Sequence, residues 1–153
     1  MKIYLLAVGE RAPAWVEAGY NEYAKRLAAQ LVLREIKAGR RTKGADTARV
    51  VQAEGERLLA AVPKGSYVVA LDRTGREFST EELAAELRAR MAHGRNMALL
   101  IGGPEGLSDE CQARADARWS LSRLTFAHPL VRVVVAEQIY RAWSIINKLP
   151  YHR

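Results

Sequence analysis

The chain has 153 residues, of which 49% are apolar and 27% charged, with a net charge of +7. That length reads as a single domain, 1–153, with a sizeable core, and no run approaches the roughly 18 continuous apolar residues of a membrane span. Cys111 is the only cysteine, which excludes an intrachain disulfide and a thiolate zinc cluster and makes a reducing, cytoplasmic setting the expectation.

"IYLLAV" (3–8) reads as a buried first strand rather than as part of a secretory signal, because the start of the chain is too short and too soon charged. Pro13 suits the first turn of a helix carrying Trp15, Val16, Gly19, Tyr20, Tyr23 and Leu27 at helical spacing. "LVLREI" (31–36) is a second, more polar strand. A basic loop follows, with Arg34, Lys37, Arg40, Arg41, Lys43 and Arg49 close together around Gly39 and Gly44. Such a loop suits sequence-independent contact with a phosphate backbone, although a solvated loop gives the same composition. Asp46 is placed to cap a helix running to Val62, with Val50, Val51, Leu58 and Leu59 on its apolar face.

"YVVALD" (67–72) is a buried strand by its β-branched content, and "RTGREF" reads as a turn. Ser79 with Glu82 forms a capping box for a helix to about Ala92. "MALLIG" (97–102) is another buried strand, followed by a short helix from Ser108 and a short strand at "RWSLS". Pro129 opens a long last helix to about Asn147. Buried strands alternating with helices predict an α/β domain with a mostly parallel sheet.

Ligands of such sheets sit outside the carboxyl ends of the strands. Three segments qualify: "ALDRTG", "IGGPEG" and "SRLTFAHP". The glycine turn is neither a Walker A loop, which needs a lysine and a Ser/Thr after the glycine, nor GxGxxG, because its first two glycines are adjacent. Glu105 in its middle disfavours a phosphate and favours a neutral or cationic ligand. A tight turn needing glycine only for its backbone conformation is the competing reading.

"LLIGGPEGLS", "WSLSRLTFAHPLVRVVVAEQIYRAWSI", the closing "PYHR" and the opening "MKIYLLAVGERAPAWVEAGYNEYAKR" together resemble the RlmH family of bacterial 23S rRNA pseudouridine N3-methyltransferases, within the SPOUT superfamily. The resemblance spans essentially the whole chain. It implies a SPOUT-type α/β fold whose C-terminal segment forms a deep trefoil knot, a homodimer, S-adenosyl-L-methionine as cofactor, and 23S rRNA in the ribosome as partner. Carried over position by position, it implies a cofactor pocket of Leu71, Gly102, Gly103, Ser122, Arg123, Leu124, Thr125, Phe126 and Ala127. A catalytically inactive SPOUT-like RNA-binding protein is the alternative, against which the intact loops argue.

Beyond the cofactor, candidates fall late in the chain. Glu137, Arg141, Ser144 and Lys148 share one face of the last helix by spacing, although a Glu–Arg pair four residues apart is usually a solvated surface contact. The resemblance makes the tail a substrate-side element, with Tyr151 meeting the base and Arg153 a phosphate. Arg141 and His152 are the expected catalytic residues, and Arg40, Arg41 and Lys43 the expected rRNA contacts. His128 and His93 read as capping or packing residues and Cys111 as a buried small residue. Three scattered histidines give no metal-site spacing, so no metal is expected.

Overall fold

The computed structural model describes residues 1–152, leaving Arg153 outside the described residues. Five strands, β1 (Ile3–Val8), β2 (Leu31–Ile36), β3 (Tyr67–Glu77), β4 (Met97–Ile101) and β5 (Ala117–Ser120), form one sheet in the order β2-β1-β4-β3-β5. Every neighbouring pair is parallel. The helices are α1 (Ala14–Ala24), α2 (Thr47–Ala61), α3 (Thr80–His93), α4 (Asp109–Arg114) and α5 (His128–Ile146), with a short 3-10 turn at Lys25–Leu27.

Strand side chains alternate between faces, and the core divides accordingly. Ile3, Leu5, Met97, Leu99 and Val69 point toward Tyr20 of α1, Leu87 of α3, and Val135 and Ile139 of α5. Leu6, Val8, Val68, Ala98 and Leu100 point toward Leu58 of α2 and Cys111 of α4. The central strand β4 and its neighbour β1 are apolar on both faces, as a sheet covered on both sides requires. α5 runs against both α1 and α3, which explains why its sequence is apolar almost all round. Gly19 of α1 permits this approach, since a Cβ there would stand 3.3 Å from both methyls of Val133.

The caps follow the sequence. The Asp46 carboxylate accepts from the Ala48 N–H, the Ser79 hydroxyl from Glu82, and the Ser108 hydroxyl from Cys111. Pro13 is the cap of α1 rather than its first helical residue. On α2 the most deeply buried residues are Glu54, Gly55 and Leu58, whereas Val50, Val51 and Leu59 are only partly covered. The helix is rotated because Gly55 lies directly against Ser108.

"RTGREF" is not a simple turn. β3 continues to Glu77, with a register shift between Leu71 and Arg76 in its pairing with β5. Gly75 allows the return, because a Cβ there would lie 2.6 Å from the Arg118 carbonyl carbon.

Among the described residues no helix is long and apolar enough to cross a membrane, and no group of three or more His, Cys, Asp or Glu side chains is placed to hold a metal ion.

Gly55→Ala should destabilise the fold by roughly 1–3 kcal/mol, because its methyl meets the Ser108 hydroxyl and dislodges the α4 cap. Urea unfolding monitored by circular dichroism checks this.

Candidate active site

Parallel strands all end at the same edge of a sheet, and β4, β3 and β5 are neighbours. The loops leaving them therefore meet. Together with the start of α5 they enclose a cavity of about 630 Å³, within the usual range for a small-molecule site. Its walls are Leu71–Arg73, within β3 where its pairing with β5 shifts register, Ile101–Leu107 from the last residue of β4 onward, and Leu121–Val131 apart from Arg123 and Leu130. Of the nine residues expected to bind a cofactor, eight line this cavity. The ninth, Arg123, is largely exposed, with its Nε 3.6 Å from Glu77.

The glycine turn is shaped by its own backbone. The Gly106 N–H donates to the Gly103 carbonyl at 2.9 Å, closing a β-turn over Pro104 and Glu105. Gly106 has φ of +85°, and a Cβ on Gly102 would overlap the Gly106 carbonyl at 2.5 Å. Glycine is required at both positions for the chain to double back. The third wall is set by Ser122, whose hydroxyl accepts from the Leu124 N–H at 3.0 Å. Leu124 is left 72% exposed beside the cavity. Arg73, which sequence reasoning passed over, donates from Nη1 to the Thr125 hydroxyl at 3.0 Å and bridges two of the loops. Gln112 also lines the cavity, donating to Asp72 at 2.9 Å.

Arg41 corrects the reading of the basic loop as a set of free phosphate contacts. Its Nη1 lies 2.8 Å from Glu54 Oε2, its Nη2 2.9 Å from Glu54 Oε1, and its Nε 2.8 Å from Glu105 Oε2. Glu54 is 2% exposed and also accepts from the Gly39 N–H at 2.9 Å. A buried carboxylate needs such partners, and an arginine has the donors to serve two of them. Glu105, whose role the sequence left open, holds Arg41. In return, hydrogen bonding from Arg41 draws the Glu105 carboxyl below the usual carboxylate range. Arg40 and Lys43 remain exposed.

Arg132, buried at 3% exposure, anchors the entrance of α5. It donates to Glu35 at 2.8 Å and to the Gly9 carbonyl, tying the helix to the ends of β2 and β1. His128 lies one turn earlier on the cavity wall. Burial, then the positive charges of Arg132 and Arg41, hold its pKa below the ordinary 6.5.

The expected catalytic residues lie elsewhere. Arg141 is ten residues beyond Val131 on α5, about 15 Å at the rise of a helix. Its Nε donates to Glu137 at 2.8 Å, and its guanidinium lies over the Tyr151 ring at 5.0 Å. Tyr151 donates to Glu137 at 3.1 Å and meets the Tyr140 ring edge-on at 4.7 Å. Burial and the Glu137 carboxylate push the Tyr151 hydroxyl up to about 12, so it acts as a neutral donor. His152 is exposed, with Nδ1 3.2 Å from the Leu149 carbonyl. The polar stripe does not persist: Ser144 is buried, bonding the Arg141 carbonyl, and Lys148 has left the helix at φ of +57°. Neither Arg141 nor His152 lines the cavity of its own chain.

Cys111 is buried, and burial raises its thiol pKa, which is inconsistent with a nucleophile. His93 bonds its own helix at the Ala89 carbonyl.

A parallel sheet with a cavity across three adjacent strand ends, closed by a glycine turn, defines an α/β protein built around a small-molecule site. The chain belongs to the SPOUT methyltransferase family: the family described as "Predicted SPOUT methyltransferase" matches residues 1–152. It is 61% identical to the Ribosomal RNA large subunit methyltransferase H of Thioalkalivibrio sulfidiphilus, over 100% of this chain and 99% of that one. The protein of the same name from Methylococcus capsulatus is 54% identical, over 100% of both chains. Two solved structures share the fold. One is described as a methyltransferase of Legionella pneumophila with bound SAM, at TM-score 0.51 and 10% identity, covering 94% of this chain and 66% of that one. The other is a methylase family protein of Haemophilus influenzae, at TM-score 0.52 and 13% identity, covering 95% and 66%.

The His128 imidazole should titrate with a midpoint below 6.5, readable by NMR. Since the unfolded chain binds that proton more readily, the contribution of His128 to stability is complete above pH 6.5. It is lost as pH falls through the folded-state value. His128→Gln should flatten that loss in urea unfolding measured across the same range.

Proposed function

We propose that the protein is an S-adenosylmethionine-dependent methyltransferase acting at N3 of a pseudouridine in 23S rRNA, on assembled ribosomes or large subunits in the cytoplasm. The observation that carries this reading is the cavity at the strand ends, in a chain 61% identical over its full length to a large-subunit rRNA methyltransferase.

The cavity wall fits the cofactor. Leu71, Ile101, Leu107 and Val131 offer an apolar slot for adenine, and the 122–127 loop offers backbone groups for its polar edge. The carboxylates of Asp72 and Glu105 suit ribose hydroxyls and a positive sulfonium. Among the described residues Arg73 is the only lysine or arginine on the wall, so the site is poorly equipped for a pyrophosphate. When bound, S-adenosylmethionine supplies an electrophilic methyl group. The intact cavity disfavours the alternative of an inactive RNA-binding protein.

Pseudouridine N3 loses its proton as it gains the methyl, so a base must stand near it. His152 is the candidate: with Nδ1 protonated toward Leu149, Nε2 carries the lone pair. Arg141, fixed by Glu137, offers positive charge to a developing anion. Tyr151 supplies an aromatic face, and Arg153 a phosphate contact. Arg141 is about 15 Å along α5 from the cavity of its own chain, which supports a homodimer in which one copy's C-terminal region completes the other's site. Trp15, 61% exposed on α1 beside α5, supports the same helical layer as the dimer surface. The proposed fold includes the deep C-terminal trefoil knot of the superfamily. The joint construction of the cavity by the 101–107 and 121–131 segments supports it.

Large subunits from cells lacking the protein, incubated with it and labelled S-adenosylmethionine, should gain one methyl at N3 of a pseudouridine by mass-spectrometric mapping. No transfer, or transfer to another base, overturns the assignment. Gly102→Val should abolish cofactor binding in calorimetry, because its side chain cannot coexist with the Gly106 carbonyl. Arg40→Ala with Lys43→Ala should weaken large-subunit binding and lower the slope of log K against log salt by roughly 1–2, with cofactor affinity unchanged.

A further inference from the structure

Residues 37–46 and the glycine turn 102–107 are about sixty residues apart in sequence, yet one side chain joins them. The Arg41 guanidinium donates to Glu105 within the turn, to the buried Glu54 of α2, and to the Gly39 carbonyl of its own loop at 3.2 Å. It also stands against the turn itself, since a Cβ on Gly103 would come within 2.9 Å of Arg41 Nη2. Glu105 lines the cavity, while Arg40 and Lys43, on either side of Arg41, are exposed.

We propose that Arg41 is a positioning residue that fixes the basic loop to the glycine turn, so that the pose of Arg40 and Lys43 and the state of the cavity depend on each other. The inference rests on the proposed function for what the two ends bind, but the link itself does not. Bidentate pairing sets direction as well as distance. Glu54 is the fixed point, held in the core by Arg41 and the Gly39 N–H. Glu105, one-third exposed, is the leg that a cavity ligand could shift. A ligand that favours one arrangement of Glu105 thereby favours one arrangement of Arg41 and its loop, and contact at the loop acts back on the turn by the same factor.

Hydrogen–deuterium exchange tests the link without activity. Glu105→Gln keeps the buried Arg41–Glu54 pair, so the fold should survive, which circular dichroism checks. In the ligand-free protein it should speed exchange of loop amides 38–45 by about tenfold. Arg41→Met should speed exchange at amides 103–107 similarly, and adding Glu105→Gln to Arg41→Met should speed neither segment beyond Arg41→Met alone. Unchanged loop exchange in folded Glu105→Gln overturns the proposal, as does simple additivity in the double variant. Saturating S-adenosylmethionine, its binding to each protein verified by calorimetry, should slow loop exchange in the wild type and leave it unaltered in the cofactor-loaded Glu105→Gln protein. Binding without any change in the wild-type loop overturns the coupling. Absence of binding overturns the cofactor reading, and the ligand-free comparison still decides the link.

Discussion

The parallel polarity of the sheet is the constraint from which the rest follows. Five strands running the same way deliver every strand-to-helix loop to one edge. The order then decides which loops are neighbours. β3 lies between β4 and β5, so segments starting near residues 72, 102 and 121 share one cavity although they are dispersed along the chain. Parallel connection also demands crossovers, and the helices that supply them bury both faces of the sheet. The same geometry that gives the chain its core gives it its site.

The second organising feature is electrostatic. A chain of charge +7 folds with two carboxylates and one guanidinium gathered at the glycine turn. That cluster leaves a local excess of negative charge beside the cavity, while the excess of positive charge lies on exposed residues such as Arg40 and Lys43. A cationic small molecule and an anionic macromolecule would thus meet different regions of the same edge. Arg132 extends the pattern, because its contacts with Glu35 and Gly9 hold the entrance of α5 against the ends of β1 and β2.

Much of the local structure was legible in the chain because it depends on local chemistry. Asp46, Ser79 and Ser108 cap the helices that follow them because a short oxygen-bearing side chain reaches the N–H two or three residues on. Buried strands announce themselves by unbroken apolar runs. What was misread depends on distant partners. "RTGREF" has turn-like composition, yet β5 draws it back into a strand. α2 looks amphipathic around its valines, yet it turns Glu54 inward because Arg41 and the Gly39 N–H receive the carboxylate there. Arg41 was indistinguishable in sequence from Arg40 and Lys43, since nothing local marks which of three basic residues meets a buried acid. The cavity residues were placed by resemblance and by the rule of strand ends, whereas Arg73 and Gln112 carried no motif that singled them out.

The alternation of strands and helices, their caps, the glycines that let "GGPEG" double back, and the exclusion of a phosphate-cradling motif are all written in the linear chain. Each of these is a property of neighbouring residues and of allowed backbone angles. Folding in three dimensions is what makes Glu105 and Glu54 share Arg41, takes Arg123 off the cavity wall while Arg73 joins it, and sets Arg141 far along α5 with Glu137 and Tyr151. These are choices among partners distant in the chain. They are settled by strand order, by helix rotation, and by the need of every buried charge to find its counter-charge.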